Sequence, residues 1–317
     1  MSRRLIRLAV LLVPVAVLVA SCRHGGARPT VDIGTYLGGQ TKLVIAEPVF
    51  GAHGMVASNS ALASEAGTEI LRQGGNAVDA AVATGFALAV TYPGAGNIGG
   101  GSFMNIHMAD GRTAAIDYRE VAPLAATRNM YVDPATGKLT DKSIIGHLAS
   151  GVPGSVAGMA EALSKYGSMS LAAVMAPAIR LARQGFIVDS SLFRSLRKDR
   201  ESLMQFAGKD LFYPDGEPLA PGARLVQAEL ARTLELIAAK GPAGFYEGDV
   251  ADALVAEMTR GGGIITHEDL RRYKPEWRTP IRSTYRGYTL FTMPPASSGG
   301  ITMTETMNIL ETFGALP

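Results

Sequence analysis

Five of the eight residues from Gly94 to Gly101 are glycine, and this run constrains the chain more than any other part of its sequence. A helix or strand interior does not carry such a density, because glycine loses more backbone freedom on folding than any other residue. The run is therefore a loop that brings bare backbone close to something, either another strand or a carboxylate or oxyanion. Its flanks narrow the choice. Upstream, Asn76 is placed to cap a helix with Asp79 in its first turn, and Val78 to Leu88 is apolar nearly all round, as in a buried helix. Downstream, Phe103 to Met108 and Thr113 to Tyr118 read as a β-hairpin with Asp110-Gly111 as a two-residue turn. Gly94 to Gly99 matches G-x-G-x-x-G, and Asp117 follows it. A dinucleotide site needs a strand before the glycines and a helix after; this order is the reverse, which argues against such a site.

The rest of the body alternates helix and loop. Leu43 to Ala46 looks strand-like, and Gly51 to Ser58 reads as loop then strand. Leu62, Ala66 and Ile70-Leu71 recur at helical spacing, with caps available from Ser58 to Ser60 and a stop at Gly74-Gly75. Further helices are predicted at Leu171 to Gln184, Ala228 to Ala239, Val250 to Arg260 and Ile301 to Phe313. A strand is predicted from Tyr285 to Met293, followed by a tight loop from Pro294 to Gly300. Lys and Arg number 30 against 28 Asp and Glu, and three of the arginines fall in the first ten residues. The body is near neutral, which speaks against nucleic acid as a partner.

Arg3, Arg4 and Arg7 precede an uncharged run from Leu8 to Ala20 that Pro14 interrupts, the pattern of a signal peptide. Val19-Ala20-Ser21-Cys22 resembles a bacterial lipobox, and Cys22 is the single cysteine, so no disulfide can form within the chain. The expected organisation is a lipoprotein signal peptide at 1–21, a flexible Gly-rich stalk at 22–42 and a folded region at 43–317. Cys22 would carry the lipid, and the mature protein would sit outside the bacterial cytoplasm, anchored to a membrane.

Chemistry-bearing residues are sparse. Ser102, Ser155 and Ser298 lie near glycines, but none completes G-x-S-x-G. Five scattered histidines, His24, His53, His107, His147 and His267, lack metal-ligand spacing, so no metal site is expected. Gly261 to Gly263 reads as a helix stop, and Arg271 to Lys274 as a solvated helix end. Arg119 is the charged residue that stands out, at the end of the inferred hairpin and beside the glycine loop. In a strand Asp117 and Arg119 share a face, so the acid could orient the guanidinium and leave its fork for a carboxylate. From these residues alone an ordinary Asp-Arg surface pair worth ~0–1 kcal/mol is the favoured reading.

Taken in order, several segments resemble the large-subunit region of the γ-glutamyltranspeptidases, also called glutathione hydrolases. They are Gly54-Met55-Val56-Ala57, Gly74 to Ala81, Gly96 to Met104, Asp117 to Pro123, Val152 to Gly158, Phe245 to Gly248 and Pro294 to Gly300. The likeness runs from Leu43 to Phe313. It implies an α+β fold, the αββα sandwich of N-terminal-nucleophile hydrolases, here its large-subunit part. It also implies a precursor that cuts itself into two subunits. A threonine freed at the start of the small subunit attacks a γ-glutamyl carbonyl with its own amine as base, and the acyl group passes to water or to an amino acid or peptide. The resemblance assigns Arg119 the grip on the donor's α-carboxylate, and implies glutathione or other γ-glutamyl compounds as substrates with no cofactor. It places the nucleophilic threonine beyond Pro317, so the chain as written is expected neither to process itself nor to turn over substrate. The competing expectation is a non-catalytic lipoprotein that binds a ligand or a partner.

Overall fold

The computed structural model describes residues 30–32, 42–44, 48–206 and 208–314, in two units that divide between His53 and Gly54. Cys22 and the segment read as a signal peptide lie outside the described residues. In the first unit, β1 (Thr30–Asp32) pairs antiparallel with β2 (Lys42–Val44), with Val31 opposite Leu43. Thr30 and Val31, both β-branched, suit a ladder.

The second unit begins with two helices whose boundaries follow from their caps. In α1 (Ala61–Arg72) the Ser60 hydroxyl accepts the Ala63 N–H, and Ala63, Ala66, Gly67 and Ile70 form one buried stripe. In α2 (Ala77–Thr91) the Asn76 side chain accepts the N–H groups of Val78 and Asp79, while the Asp79 carboxylate accepts the Asn76 N–H at 2.7 Å. This reciprocal arrangement satisfies donors that a helix start otherwise leaves orphaned. Eleven of the fifteen α2 residues are buried and only Ala77 and Ala81 are exposed, so the helix keeps a narrow solvent edge and otherwise lies within a helical layer. It packs on α1, on α3 (Ser155–Tyr166) and on α4 (Leu171–Gln184). Phe86 and Ile70 are fully buried there, each side chain worth about 1.5–3 kcal/mol of transfer free energy.

After α4 come β5 (Phe186–Ile187), α5 (Ser190–Leu203), α6 (Lys209–Phe212), β6 (Arg224–Leu225) and α7 (Ala228–Lys240), which packs on α4. Then follow α8 (Ala243–Tyr246), α9 (Gly248–Gly261) and α10 (His267–Arg272). α3 and α5 are helices that the sequence reading passed over. α5 carries a legible signal, since the Asp189 carboxylate accepts the Leu192 N–H at 2.8 Å; α3 starts after Gly154 with no side-chain cap.

The sheet has the order β3–β4–β7, all antiparallel: β3 (Ser102–His107), β4 (Thr113–Tyr118) and β7 (Glu276–Arg278). Ala114, Ile116 and Tyr118 of β4 face the core, and α3 lies against them. The contact is close: a Cβ at Gly158 would sit 2.0 Å from the Tyr118 ring. Gly158→Ala should therefore destabilise the protein by about 1–3 kcal/mol through overpacking, although alanine alone favours a helix by up to ~1 kcal/mol. A urea midpoint that rises in this variant would show that the two elements are not in contact.

Three expectations are corrected. Met55 to Ser58 forms no strand; its Val56 side chain packs beside Gly67 of α1 instead of lying along a strand edge. The β3–β4 connection is a three-residue loop, closed by Met108 N–H to Arg112 C=O at 2.8 Å and by Gly111 at φ 85°. The single strand read from Tyr285 to Met293 is the end of β8 (Ile281–Tyr285), a turn and β9 (Tyr288–Thr292). Here the turn does have two residues, Arg286 and Gly287, both at positive φ as a right-twisted hairpin favours. α11 (Gly299–Glu311) completes the described chain, and its Glu311 carboxylate accepts the Arg286 N–H at 3.0 Å.

Candidate functional site

A cleft of about 190 Å³ opens where β4 ends beside β7, lined by Asp117, Arg119, Glu120, Val121, Tyr273, Lys274, Glu276, Arg278 and Ala296. A second cleft of about 260 Å³ shares Val121, Tyr273, Lys274 and Glu276 with it and runs on past Leu124, Val152 and Arg272. Arg119 is the first residue beyond the β4 ladder, with its side chain 53% exposed. Among the described residues its guanidinium donates no hydrogen bond; the nearest carboxylate is Glu120, with Oε1 at 3.7 Å from Nε. That exposed pair is worth only ~0–1 kcal/mol, so it does not compete strongly with an arriving anion.

The main chain around Arg119 is pinned at four points. Asp117 Oδ1 accepts the Arg119 N–H at 3.1 Å, while Oδ2 accepts Arg278 Nε at 2.8 Å. Tyr273 donates its hydroxyl to the Arg119 carbonyl at 2.9 Å. Val121 exchanges two backbone hydrogen bonds with Val152, and Leu124 N–H reaches Asp269 Oδ1 at 2.6 Å. Asp269 also closes the capping box of α10 with Thr266. Burial opposes its ionisation, but the Thr266 hydroxyl and the N–H groups of Leu124 and Thr266 hold its carboxyl below the ordinary value.

The glycines of the sequence motifs make this possible by close backbone approach. A Cβ at Gly101 would lie 2.4 Å from the Glu120 nitrogen and 2.6 Å from Arg119 Cα. Gly100 C=O accepts the N–H groups of Gly154 and Ser155 at 2.7 and 3.0 Å, tying the glycine loop to the start of α3. Between the two readings left open for Gly94 to Gly101, the loop packs on protein backbone at Gly96, which abuts Leu88, and at Gly101.

The residues selected from sequence meet here in part. Asp117 and Arg119 both line the cleft, but the Asp117 carboxylate forms its ion pair with Arg278 and orients Arg119 through the backbone N–H. The guanidinium pairing expected from strand alternation does not form, because Arg119 lies outside the strand. Sequence reasoning missed Arg278 and Tyr273, the latter read as a solvated helix end. It also left open the role of Asp79, whose buried carboxylate joins the start of α2 to Ser168 and Met169. His147 and His267 are satisfied by Glu257 and Asp252, with Nε2 to carboxylate distances of 2.7 and 2.8 Å. Among the described residues no three His, Cys, Asp or Glu gather as a metal site would require, and no helix is long and apolar enough to cross a membrane.

Residues 63–316 match the family model for gamma-glutamyltranspeptidase. The chain is 48% identical over 300 residues to the glutathione hydrolase proenzyme of Escherichia coli (strain K12), covering 94% of this chain and 51% of that protein. It is 51% identical over 269 residues to the glutathione hydrolase proenzyme of Pseudomonas sp. (strain A14), covering 84% of this chain and 47% of the relative. The chain thus spans about half the length of the curated relatives it matches. Its fold superposes on the crystal structure of Helicobacter pylori gamma-glutamyltranspeptidase with a TM-score of 0.81 and 44% identity, covering 84% of this chain and 77% of the other. The mixed helix-and-sheet architecture is the α+β fold of the N-terminal-nucleophile hydrolases. On the match across most of its length and on this shared fold, the chain belongs to the γ-glutamyltranspeptidase family of enzymes.

Proposed function

We propose that this chain supplies the donor-binding half of a γ-glutamyltransferase or glutathione hydrolase. In this reading, a γ-glutamyl amide is attacked by a threonine that begins a second subunit beyond Pro317. The carbonyl carbon forms an ester with the threonine oxygen, the amine leaves with a proton, and water or an acceptor amine of an amino acid or peptide then breaks the ester. Arg119 holds the donor's free α-carboxylate. One observation carries this reading: a half-exposed guanidinium that meets no hydrogen-bond acceptor among the described residues, on a backbone tied at both its N–H and its C=O. Such a fork matches a carboxylate bidentately, a task for which lysine has the charge but not the geometry. The adjoining cleft past Leu124 and Arg272 leaves room for the rest of a donor such as glutathione.

The test is release of p-nitroaniline from its γ-glutamyl derivative by the complete precursor. Expected is release that begins only once the precursor has cut itself; a verified self-cleaved protein without release overturns the reading. The lipobox-like pattern supports placement outside the cytoplasm, with the membrane reached through lipid on Cys22. Labelled palmitate should enter the protein in bacterial cells and be absent from a Cys22→Ser variant; equal labelling of both would remove the anchor.

A further inference from the structure

We propose that Tyr273 is a positioning residue for Arg119: its hydroxyl, seated in a slot that Gly154 leaves open, fixes the Arg119 carbonyl and so the reach of the guanidinium. The inference rests on the γ-glutamyl reading above and names a further determinant of donor binding.

A tyrosine directly after the basic last turn of a short helix would ordinarily send its hydroxyl to water. Tyr273 turns inward. Its ring lies parallel to that of Tyr246, 2° apart in plane and 5.9 Å between centroids, and its hydroxyl donates to the Arg119 carbonyl at 2.9 Å. Tyr246 is itself fixed, donating to the Pro153 carbonyl at 2.8 Å and accepting the Ala157 N–H at 3.3 Å. The slot between these groups exists because residue 154 has no side chain: a Cβ there would lie 2.1 Å from the Tyr273 hydroxyl and 2.1 Å from the Tyr118 carbonyl. Burial first, then the carboxylates of Asp117 and Glu120, push the phenol above its ordinary pKa, so the hydroxyl stays a donor.

The consequence reaches Arg119 because that residue has left the β4 ladder. Its own peptide groups are held by two hydrogen bonds, the N–H by Asp117 and the C=O by Tyr273. Without the second, the peptide between Arg119 and Glu120 gains freedom to rotate. The guanidinium then loses the fixed position that binding of the α-carboxylate exploits. The effect belongs to binding of the α-carboxylate and leaves the acyl-transfer steps alone.

The experiment compares the complete precursor with its Tyr273→Phe, Arg119→Ala and doubly substituted forms, using γ-glutamyl-p-nitroanilide. Tyr273→Phe should raise KM about three- to tenfold, the scale of one hydrogen bond, with kcat within about twofold. In the Arg119→Ala background it should add nothing, because the residue acts through the guanidinium. Losses that multiply, an unchanged KM, or a fall confined to kcat would each overturn the proposal. p-Aminophenylalanine at 273 keeps a donor of the same reach and should restore KM. If phenylalanine prevents self-cleavage, that variant decides alone: near-native KM supports the proposal and a raised KM overturns it. A wild-type protein inactive on the donor would defeat the γ-glutamyl reading itself, whereas an active wild type with a silent Tyr273→Phe defeats only the positioning role.

Discussion

Arg119→Ala in the complete precursor should raise KM for a γ-glutamyl donor by tens- to thousands-fold while self-cleavage proceeds. Truncating one partner of a hydrogen-bonded charge pair costs about 2–5 kcal/mol when the pair is desolvated, and each 1.4 kcal/mol is a factor of ten. The side chain is 53% exposed in the described half alone, so solvent screening favours the lower part of that range. Arg119→Lys should recover only part of the loss, because an ammonium keeps the charge and lacks the planar fork. A donor without an α-carboxylate should respond equally to the wild type and to Arg119→Ala. An unchanged KM for the carboxylate-bearing donor would remove Arg119 from the site.

Asp79→Asn should destabilise the folded protein by about 3 kcal/mol at neutral pH without entering the chemistry. The carboxylate is fully buried and accepts the Asn76 N–H at 2.7 Å, the Ser168 hydroxyl at 2.6 Å, the Ser168 N–H at 2.9 Å and the Met169 N–H at 3.1 Å. Hydrogen bonds to a charged group contribute about 1.5–3 kcal/mol, and asparagine presents an N–H₂ where one oxygen accepted. Burial works against ionisation, but the Ser168 hydroxyl and the three N–H groups outweigh it and hold the pKa below its ordinary value of 3.8. A lowered folded-state pKa means that the stabilisation is fully present above the unfolded value and is lost as pH falls through the folded one. The gap between wild type and Asp79→Asn, measured by urea unfolding, should therefore be full at pH 7 and shrink below about pH 4. Equal midpoints at pH 7, or a gap that widens on acidification, would refute this account.

What the sequence disclosed was local. Ser60 and Asn76 cap helices, Gly74-Gly75 ends one, and the apolar circumference of α2 marks it as buried; each signal lies within a few residues of what it determines. The segment boundaries of α4 and α7 were legible for the same reason. Arg119 itself could be singled out, since an arginine at the end of a hairpin beside a glycine loop is visible in one line of sequence. Its supports were not. Asp117 chooses Arg278 over Arg119, and β7 adds a third strand of only three residues; neither choice has a local signature. The hairpins were misread in two ways: Asp110-Gly111 belongs to a three-residue loop where a two-residue turn was expected, and Arg286-Gly287 is a turn where an unbroken strand was expected; only the strand register separates them.

Arg278 lies 161 positions downstream of Asp117, and Tyr273 lies 154 positions downstream of Arg119. A ribosome adds residues in order, so the arginine emerges long before either group that sets its backbone. Closing loops of that size carries an entropic cost that only the surrounding helical layer and sheet can offset. The grip on a carboxylate proposed for Arg119 would therefore be among the last features to mature, well after the capped helices α1 and α2 have somewhere to pack. A nascent or partly folded chain would present the arginine as an ordinary mobile cation, and anion selectivity would arrive with the return of the chain at β7.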